Sequence, residues 1–342
     1  MTAANLDHTN LNAAESGGVV NESVMQKIWE IDQFPLPLTD LCSKGTHGNQ
    51  YNEFTTDELG AAATDNAAID GADLTGNDAS VGLRVGNYTQ TGTKIVQVST
   101  RANASDSIGR QGSLSYQVSQ NQKRLRRDVE AQMCTAQASV AGDGTAVAGI
   151  SAGLGAWIET NVVGGVGYVA GGFDPATNLI DAPTFGTARA ISETMIKDIV
   201  QAVYTEGGES RILMARPEVI RLISEFYFGS TAKAASMVND NASGTNKLTA
   251  YGSTNVIVTD FGTLNLLPNR LQPVTAADTS TVYLLDPTHL KQSFLTGYRT
   301  EPLGKTGLSE KRMMSCDYQL CVLNEKSQGA IFDVDHTAAM VA

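Results

Sequence analysis

Gly304-Lys305-Thr306 is the stretch of this sequence that comes nearest to a catalytic motif. In a phosphate-binding loop the backbone amides of a glycine-rich turn cradle the phosphates and the Lys reaches their oxygens. A further Gly stands five positions before the second one. Arg299 stands there instead, and strand-like sequence follows where a helix is required, so the tripeptide reads as a hairpin turn. Gly164-Gly165-Val166-Gly167-Tyr168-Val169-Ala170-Gly171-Gly172 follows no firm strand and opens no helix; it reads as a flexible loop. His8, His47, His289 and His336 are isolated, none at metal-ligand spacing with Cys, Asp or Glu. Asp286-Pro287-Thr288-His289 reads as a turn, and the sequence contains no Gly-x-Ser-x-Gly. No catalytic residue, cofactor site or metal site is assigned, and no enzymatic activity is expected.

Charge is distributed more tellingly. Residues 45–83 carry seven acids, Glu53, Asp57, Glu58, Asp65, Asp70, Asp73 and Asp78, and neither Lys nor Arg. The middle of this segment, Gly60-Ala61-Ala62-Ala63-Thr64-Asp65-Asn66, is small and polar. It cannot bury enough apolar surface to hold itself in place. Either it is disordered or it is an arm that orders on something else. The opposite charge is concentrated at Lys123, Arg124, Arg126 and Arg127, offset in part by Asp128 and Glu130. That basic face reads as a solvated helix surface, a nucleic-acid contact, or a docking surface for acidic sequence. The chain itself supplies such sequence.

The elements that must position these charges follow from periodicity. A strand-like run, Gln50-Tyr51-Asn52-Glu53-Phe54, leads into the acidic segment, and a stronger one, residues 93–100, follows it. The clearest helix spans 106–140. Leu114, Val118, Leu125, Val129 and Met133 recur at the helical period and form an apolar keel, with the basic residues on the back. Gly142, Gly144 and Gly149 are expected to end it. A short amphipathic helix is expected over 22–31, stopped by Phe34-Pro35-Leu36-Pro37-Leu38. Further helices are expected over 192–204, closed by Gly207-Gly208, and after Pro217. Strands are expected at 211–214, 255–259, 281–285 and 292–300. A last pair, 312–324 and 330–334, is joined by a hairpin loop at 325–329. The fold class is α+β.

The chain has 342 residues, a net charge of -12 and 33 Gly, with 42% hydrophobic and 6% aromatic residues. That length allows two domains, or one with long excursions. A net acidic chain is not expected to bind nucleic acid through its bulk field. Cys42, Cys134, Cys316 and Cys321 form no Cys-x-x-Cys, which fits a reducing compartment, with Cys134 and Cys316 as small buried hydrophobes. The first eight residues have neither a basic region nor an apolar run, so no signal peptide is expected. No apolar stretch is long enough to span a membrane.

In order, these features resemble the major capsid proteins of tailed bacteriophages, with the Hong Kong 97-type fold, in the branch of the SU-ten-type head protein. The resemblance covers about residues 20–335. It is carried by Val96-Gln97-Val98-Ser99-Thr100, Gly112-Ser113-Leu114-Ser115-Tyr116-Gln117 and Lys123-Arg124-Leu125-Arg126-Arg127-Asp128-Val129-Glu130. Gly153-Leu154-Gly155-Ala156-Trp157-Ile158, the strand-turn-helix of 212–226 and Asn324-Glu325-Lys326-Ser327-Gln328-Gly329 complete it.

The resemblance implies an N-terminal arm (1–44) and an extended loop (E-loop, 45–100) lying across a neighbouring subunit. It implies a peripheral domain (101–145 and 281–342) with a long spine helix, and an inserted axial domain (146–280). It implies a structural subunit that assembles with itself as hexamers and pentamers into an icosahedral head. Portal, scaffolding or decoration proteins are the further partners, and packaged double-stranded DNA is contacted non-specifically, with no membrane. The location implied is the virion, assembled in the bacterial host cytoplasm. Some members of this fold cross-link the loop through a Lys; Lys44 and Lys94 only flank this one, so a noncovalent shell is expected. An encapsulin-like compartment and a soluble enzyme with an acidic lid are the alternatives.

Overall fold

The structure is a computed structural model and describes residues 28–31, 34–60, 62, 64, 67, 70–71, 81–105, 112–227, 237–240, 247–250, 256–275, 278–305 and 307–341. A short helix α1 (Pro37–Leu41) and strand β1 (Ser43–Thr46) precede a hairpin of β2 (Tyr51–Thr56) and β3 (Leu83–Tyr88). β4 (Gln90–Ser99) leads through α2 (Thr100–Ala104) to the long helix α3 (Ser113–Met133). Then come α4 (Leu154–Trp157), β5 (Val162–Val163), β6 (Gly172–Asp174), β7 (Leu179–Asp181), α5 (Glu193–Thr205), β8 (Ile212–Ala215) and α6 (Pro217–Tyr227). β9 (Met237–Asp240), β10 (Lys247–Ala250), β11 (Val256–Thr259) and β12 (Gly262–Pro268) follow. The last strands are β13 (Ser280–Leu285), β14 (Leu290–Leu303), β15 (Ser309–Val322) and β16 (Gly329–Val334).

Two sheets organise the molecule. The first has strand order β1-β14-β15-β4 and carries α3 on one face. The second has order β11-β12-β8-β13-β16-β5 and packs against α5 and α6. Leu114, Leu125, Val129 and Met133 of α3 are buried, and Val118 packs beside them, so the keel read from periodicity lies against the first sheet. The helix ends earlier than the expected residue 140. Thr135 Oγ1 takes the carbonyl of Gln132 at 2.7 Å and Cys134 turns into the core, so the glycines at 142–149 stop nothing. Residues 106–111 lie outside the described residues, as do 22–27 of the helix expected at 22–31; residues 28–31 are not helical.

Helix α5 was legible at both ends. Ser192 Oγ caps the amide of Met195 at 3.2 Å. At the other end Gly207, at φ +92°, lets its own amide reach Tyr204 O and that of Gly208 reach Val203 O. This pair of bonds is the Schellman motif that glycine makes possible.

Residues 325–329 are not a hairpin loop. They form a 3₁₀ turn, Glu325–Ser327, that hands the chain from one sheet to the other. β15 already has β14 and β4 on its two edges, and β16 has β13 and β5, so neither can pair with the other. The span 281–342, grouped from sequence with the peripheral domain, therefore divides: β14 and β15 lie in the first sheet, β13 and β16 in the second. Both pairs are antiparallel, with register shifts in each, so residues 280–334 form one long ribbon bent at two crossovers. Gln328 fastens the bend, accepting from Asp286 N at 2.9 Å and donating to Asp286 O at 3.1 Å. The glycine-rich 164–172 run is likewise not an open loop. A Cβ on Gly165 would lie 2.1 Å from Thr187 O, and its amide donates to the buried Asp333 at 2.9 Å.

Candidate intersubunit interface

The β2–β3 hairpin pairs Tyr51 with Tyr88 through Thr56 with Leu83. Its root is locked into the subunit. Phe54 stacks on Trp157 with ring centroids 6.0 Å apart. The buried Asn87 donates to Ser151 Oγ at 3.1 Å and Leu320 O at 2.8 Å, and accepts from Ala152 N at 3.1 Å. A Cβ at Gly86 would lie 2.9 Å from the backbone carbonyl of Asn52 and 2.6 Å from the Tyr51 ring, so the hairpin backbone resists a side chain there. Beyond the root, Leu59 and Val81 are fully exposed and Leu83 is half exposed. The hairpin is thus fastened to the body at Phe54 and Asn87, and the described residues just past its strands carry exposed apolar side chains.

The structure gives two of the loop acids partners that sequence reasoning did not name. Glu53 pairs with Arg84 across the hairpin. Glu58 meets Lys326 at 2.7 Å, and Lys326 also meets Glu206 at 3.1 Å. Hydrogen bonds to Glu58 and then Glu206 push the Lys326 pKa up. Arg84 follows the acid-rich segment directly, and Lys326 stands in one of the quoted motifs. Their pairing depends on strand register and on the sheet crossover, which no local pattern encodes. Asp57 accepts from Glu58 N at 2.9 Å, and Asp70 is exposed. Asp65, Asp73 and Asp78 lie outside the described residues.

The basic residues of α3 are spread around its outer surface. Arg124 and Arg126 are exposed, and Lys123 and Arg127 are half-buried. Arg126 lies 5.3 Å above the Tyr298 ring on the β14 side. On the other flank Asp128 holds Lys94 of β4 at 2.5 Å. Glu130 is not part of this face. Its carboxylate is fully buried and accepts from Leu38 N (2.8 Å), Thr39 N (2.7 Å), Thr39 Oγ1 (2.5 Å) and Asn269 Nδ2 (2.8 Å). It supplies the acceptors that the first amides of α1 lack.

The remaining candidate chemistry is structural. His47 bridges Ser293 Oγ (2.9 Å) and Thr89 Oγ1 (2.8 Å), and burial pushes its pKa down. All four thiols are buried; burial pushes Cys42 and Cys316 up to about 12 and Cys321 up to about 11. Among the described residues no three His, Cys, Asp or Glu are placed to hold a metal, and no helix is long and apolar enough to cross a membrane. A cleft of about 680 Å³ opens at the hairpin root; its ionisable lining residue is Asp317, which accepts from Thr91 Oγ1 at 2.7 Å.

The anchored hairpin, the long helix α3 and the two sheets joined by a bent ribbon can be set against solved structures. The chain is similar to the holo-SrpI encapsulin of Synechococcus elongatus PCC 7942 (12% identity, TM-score 0.56, covering 97% of this chain and 99% of that one). It is similar to the capsid of a native GTA particle (13% identity, TM-score 0.55, 93% and 96% covered). These likenesses establish the Hong Kong 97-type fold and do not by themselves separate phage heads from encapsulins. In sequence, the chain is 23% identical over 331 residues to the major capsid protein of Escherichia phage Phieco32, across 86% of this chain and 89% of that protein. The profile of one family matches residues 2–335, nearly the whole length. The chain belongs to the SU10 major capsid protein family.

Proposed function

We propose that this chain builds the shell of a tailed-phage head by placing its acidic hairpin and loop on the spine helix of a neighbouring copy. The observation that carries the reading is the hairpin itself, fastened at Phe54 and Asn87 and extending exposed Leu59 and Val81 away from its own core. Exposed apolar side chains on an anchored arm suit a partner surface. Glu53, Asp57, Glu58, Asp65, Asp70 and Asp73 would face Lys123, Arg124, Arg126 and Arg127 of the neighbour. Opposite charge steers and registers such contacts more than it adds affinity.

In this reading 1–44 is the arm, 45–100 the extended loop and 146–280 the axial domain, with 101–145 and 281–342 as the peripheral domain. The bent ribbon refines that division by lending 280–285 and 329–334 to the axial sheet. Copies close into hexamers and pentamers around packaged double-stranded DNA, within a virion assembled in the host cytoplasm. Portal and scaffolding or decoration proteins complete the head. The shell is held without covalent cross-links, and the chain has no catalytic role.

Negative-stain microscopy and size-exclusion chromatography of the purified chain test this. Capsomers or particles are expected, and a small discrete oligomer would instead favour a soluble enzyme with an acidic lid. Packaged DNA separates a head from an encapsulin-like compartment, which the SrpI likeness keeps in view and which would hold a cargo enzyme. A ladder of covalent oligomers on a denaturing gel would sink the noncovalent reading.

A further inference from the structure

The first sheet has two outer edges, and they are finished differently. On the β14 side, β1 covers Lys291 to Phe294, two register shifts follow, and Pro302 lies in the strand. Bulges and prolines blunt a sheet edge against further pairing. On the other side β4 runs ten residues in unbroken register against β15, without proline. Among the described residues no strand pairs with its outer edge. The charged residue of this strand, Lys94, is drawn onto Asp128 of α3 and does not guard the edge.

The ladder shows which groups are free. Thr100 N donates to Leu308 O at 3.0 Å, so Thr100 occupies a hydrogen-bonded position. Alternation then turns the amides of Gly92, Lys94 and Val96 toward β15, and those of Thr93, Ile95 and Gln97 outward. The hairpin follows the same rule. Thr89 N donates to Gln50 O at 2.8 Å, so Asn52 and Phe54 bond to β3 while the amides of Tyr51, Glu53 and Thr55 face out. A two-stranded hairpin is marginal alone and gains from a third strand. Glu53 lies in β2 and Asp57 directly follows its last residue. Arg124 stands one helical turn before Asp128, on the flank where Asp128 meets Lys94, so positive charge borders the open edge of β4.

We infer that in the assembled shell β2 of one copy adds to the outer edge of β4 in a neighbouring copy, joining the four-stranded sheet of one subunit to the two-stranded hairpin of the other as six strands. The inference rests on the shell reading and specifies its contact. Main-chain bonds supply the attachment, and Arg124 beside Glu53 and Asp57 sets the register.

Fragment-resolved hydrogen–deuterium exchange on the full chain, as dissociated subunits and as particles, tests it. The amides of Thr93, Ile95 and Gln97, with those of Glu53 and Thr55, should exchange at least about tenfold more slowly in particles. The alternate amides of Lys94 and Val96 should be protected in both states. Particles in which Thr93, Ile95 and Gln97 exchange as in subunits overturn the inference and leave the shell reading standing. Protection of β4 without protection of Glu53 and Thr55 overturns it too, because another strand then fills the edge. Failure of the unaltered chain to form any particle removes the shell reading itself. Thr93→Pro gives a second arm: it deletes an outward amide and keeps the β15 ladder. A subunit that melts like the unaltered one, with particle yield reduced against a Thr93→Val control, supports strand addition; undiminished yield from folded Thr93→Pro contradicts it.

Discussion

Glu130 on the spine helix and Glu58, just past the outer end of β2, carry the same carboxylate in opposite surroundings. Glu130 is fully buried and satisfied by four donors from two other segments of its own subunit. Glu58 is half exposed and has one cation, Lys326, at 2.7 Å. A buried acceptor that loses its setting leaves donors unsatisfied at full desolvation cost. An exposed ion pair is screened and contributes little to stability. The difference separates two tasks: buried polar contacts hold the subunit together, and exposed charges remain available for a neighbour.

The sharpest way to break the comparison is Glu130→Ala. It strands Leu38 N in the core and Thr39 N at its half-buried margin, and leaves Asn269 Nδ2 with sulfur partners alone, at about 1–3 kcal/mol for each lost acceptor before relaxation. A loss of about 4 kcal/mol is expected in urea unfolding of the dissociated subunit. A loss below about 1 kcal/mol would mean water replaces the carboxylate and the buried site is not special. Next comes Phe54→Ala, which removes the ring stacked on Trp157. The half-buried ring is worth about 2 kcal/mol, less than a fully buried one. The loss should appear locally, as faster proteolysis around residues 51–56 with the spine helix intact; cooperative unfolding of the whole subunit would deny the hairpin its separate status.

Sequence showed the surfaces better than the connections. The apolar keel from Leu114 to Met133 was legible because a helix repeats its own face within one segment. The stop at Gly207-Gly208 was legible because capping chemistry is local. Glu130 was read as a surface charge, since nothing near it in sequence shows that Leu38, 92 residues earlier, arrives with free amides. The parallel pairing of β8 with β12 joins residues about fifty apart, and the bend of the ribbon depends on both sheets already being full. The acids and bases of the interface were visible as composition. Their partners Arg84 and Lys326 were not, because register and crossover geometry decide them.

Buried thiols extend the comparison to alkaline pH. The ordinary thiol value is 9.0, and burial raises Cys321 to about 11. Above pH 9 the unfolded chain loses this proton and the folded chain keeps it. The unfolded state then binds fewer protons, so stability falls as pH rises from 9 toward 11. Cys321→Ala should therefore reduce the stability lost between pH 8 and pH 10 by about 1 kcal/mol. Identical pH profiles for the two proteins would show that the thiol ionises as freely in the fold as outside it.

Arg124→Glu probes the other side of the comparison and should barely register in the subunit. Arg124 is exposed on the spine helix, and exposed substitutions usually stay within about 0.5 kcal/mol. If its charge serves a neighbour's acids, the effect belongs to assembly. Light scattering at low salt should show particle formation slowed about tenfold, since steering charges act mainly on encounter rates. At 1 M salt the Debye length shrinks to about 3 Å and the variant should approach the unaltered rate. Combining Arg124→Glu with Glu53→Lys and Asp57→Lys restores opposite charge and should recover speed at low salt. A slowing that persists in high salt would indicate packing rather than charge, and an unchanged rate at low salt would remove Arg124 from the interface.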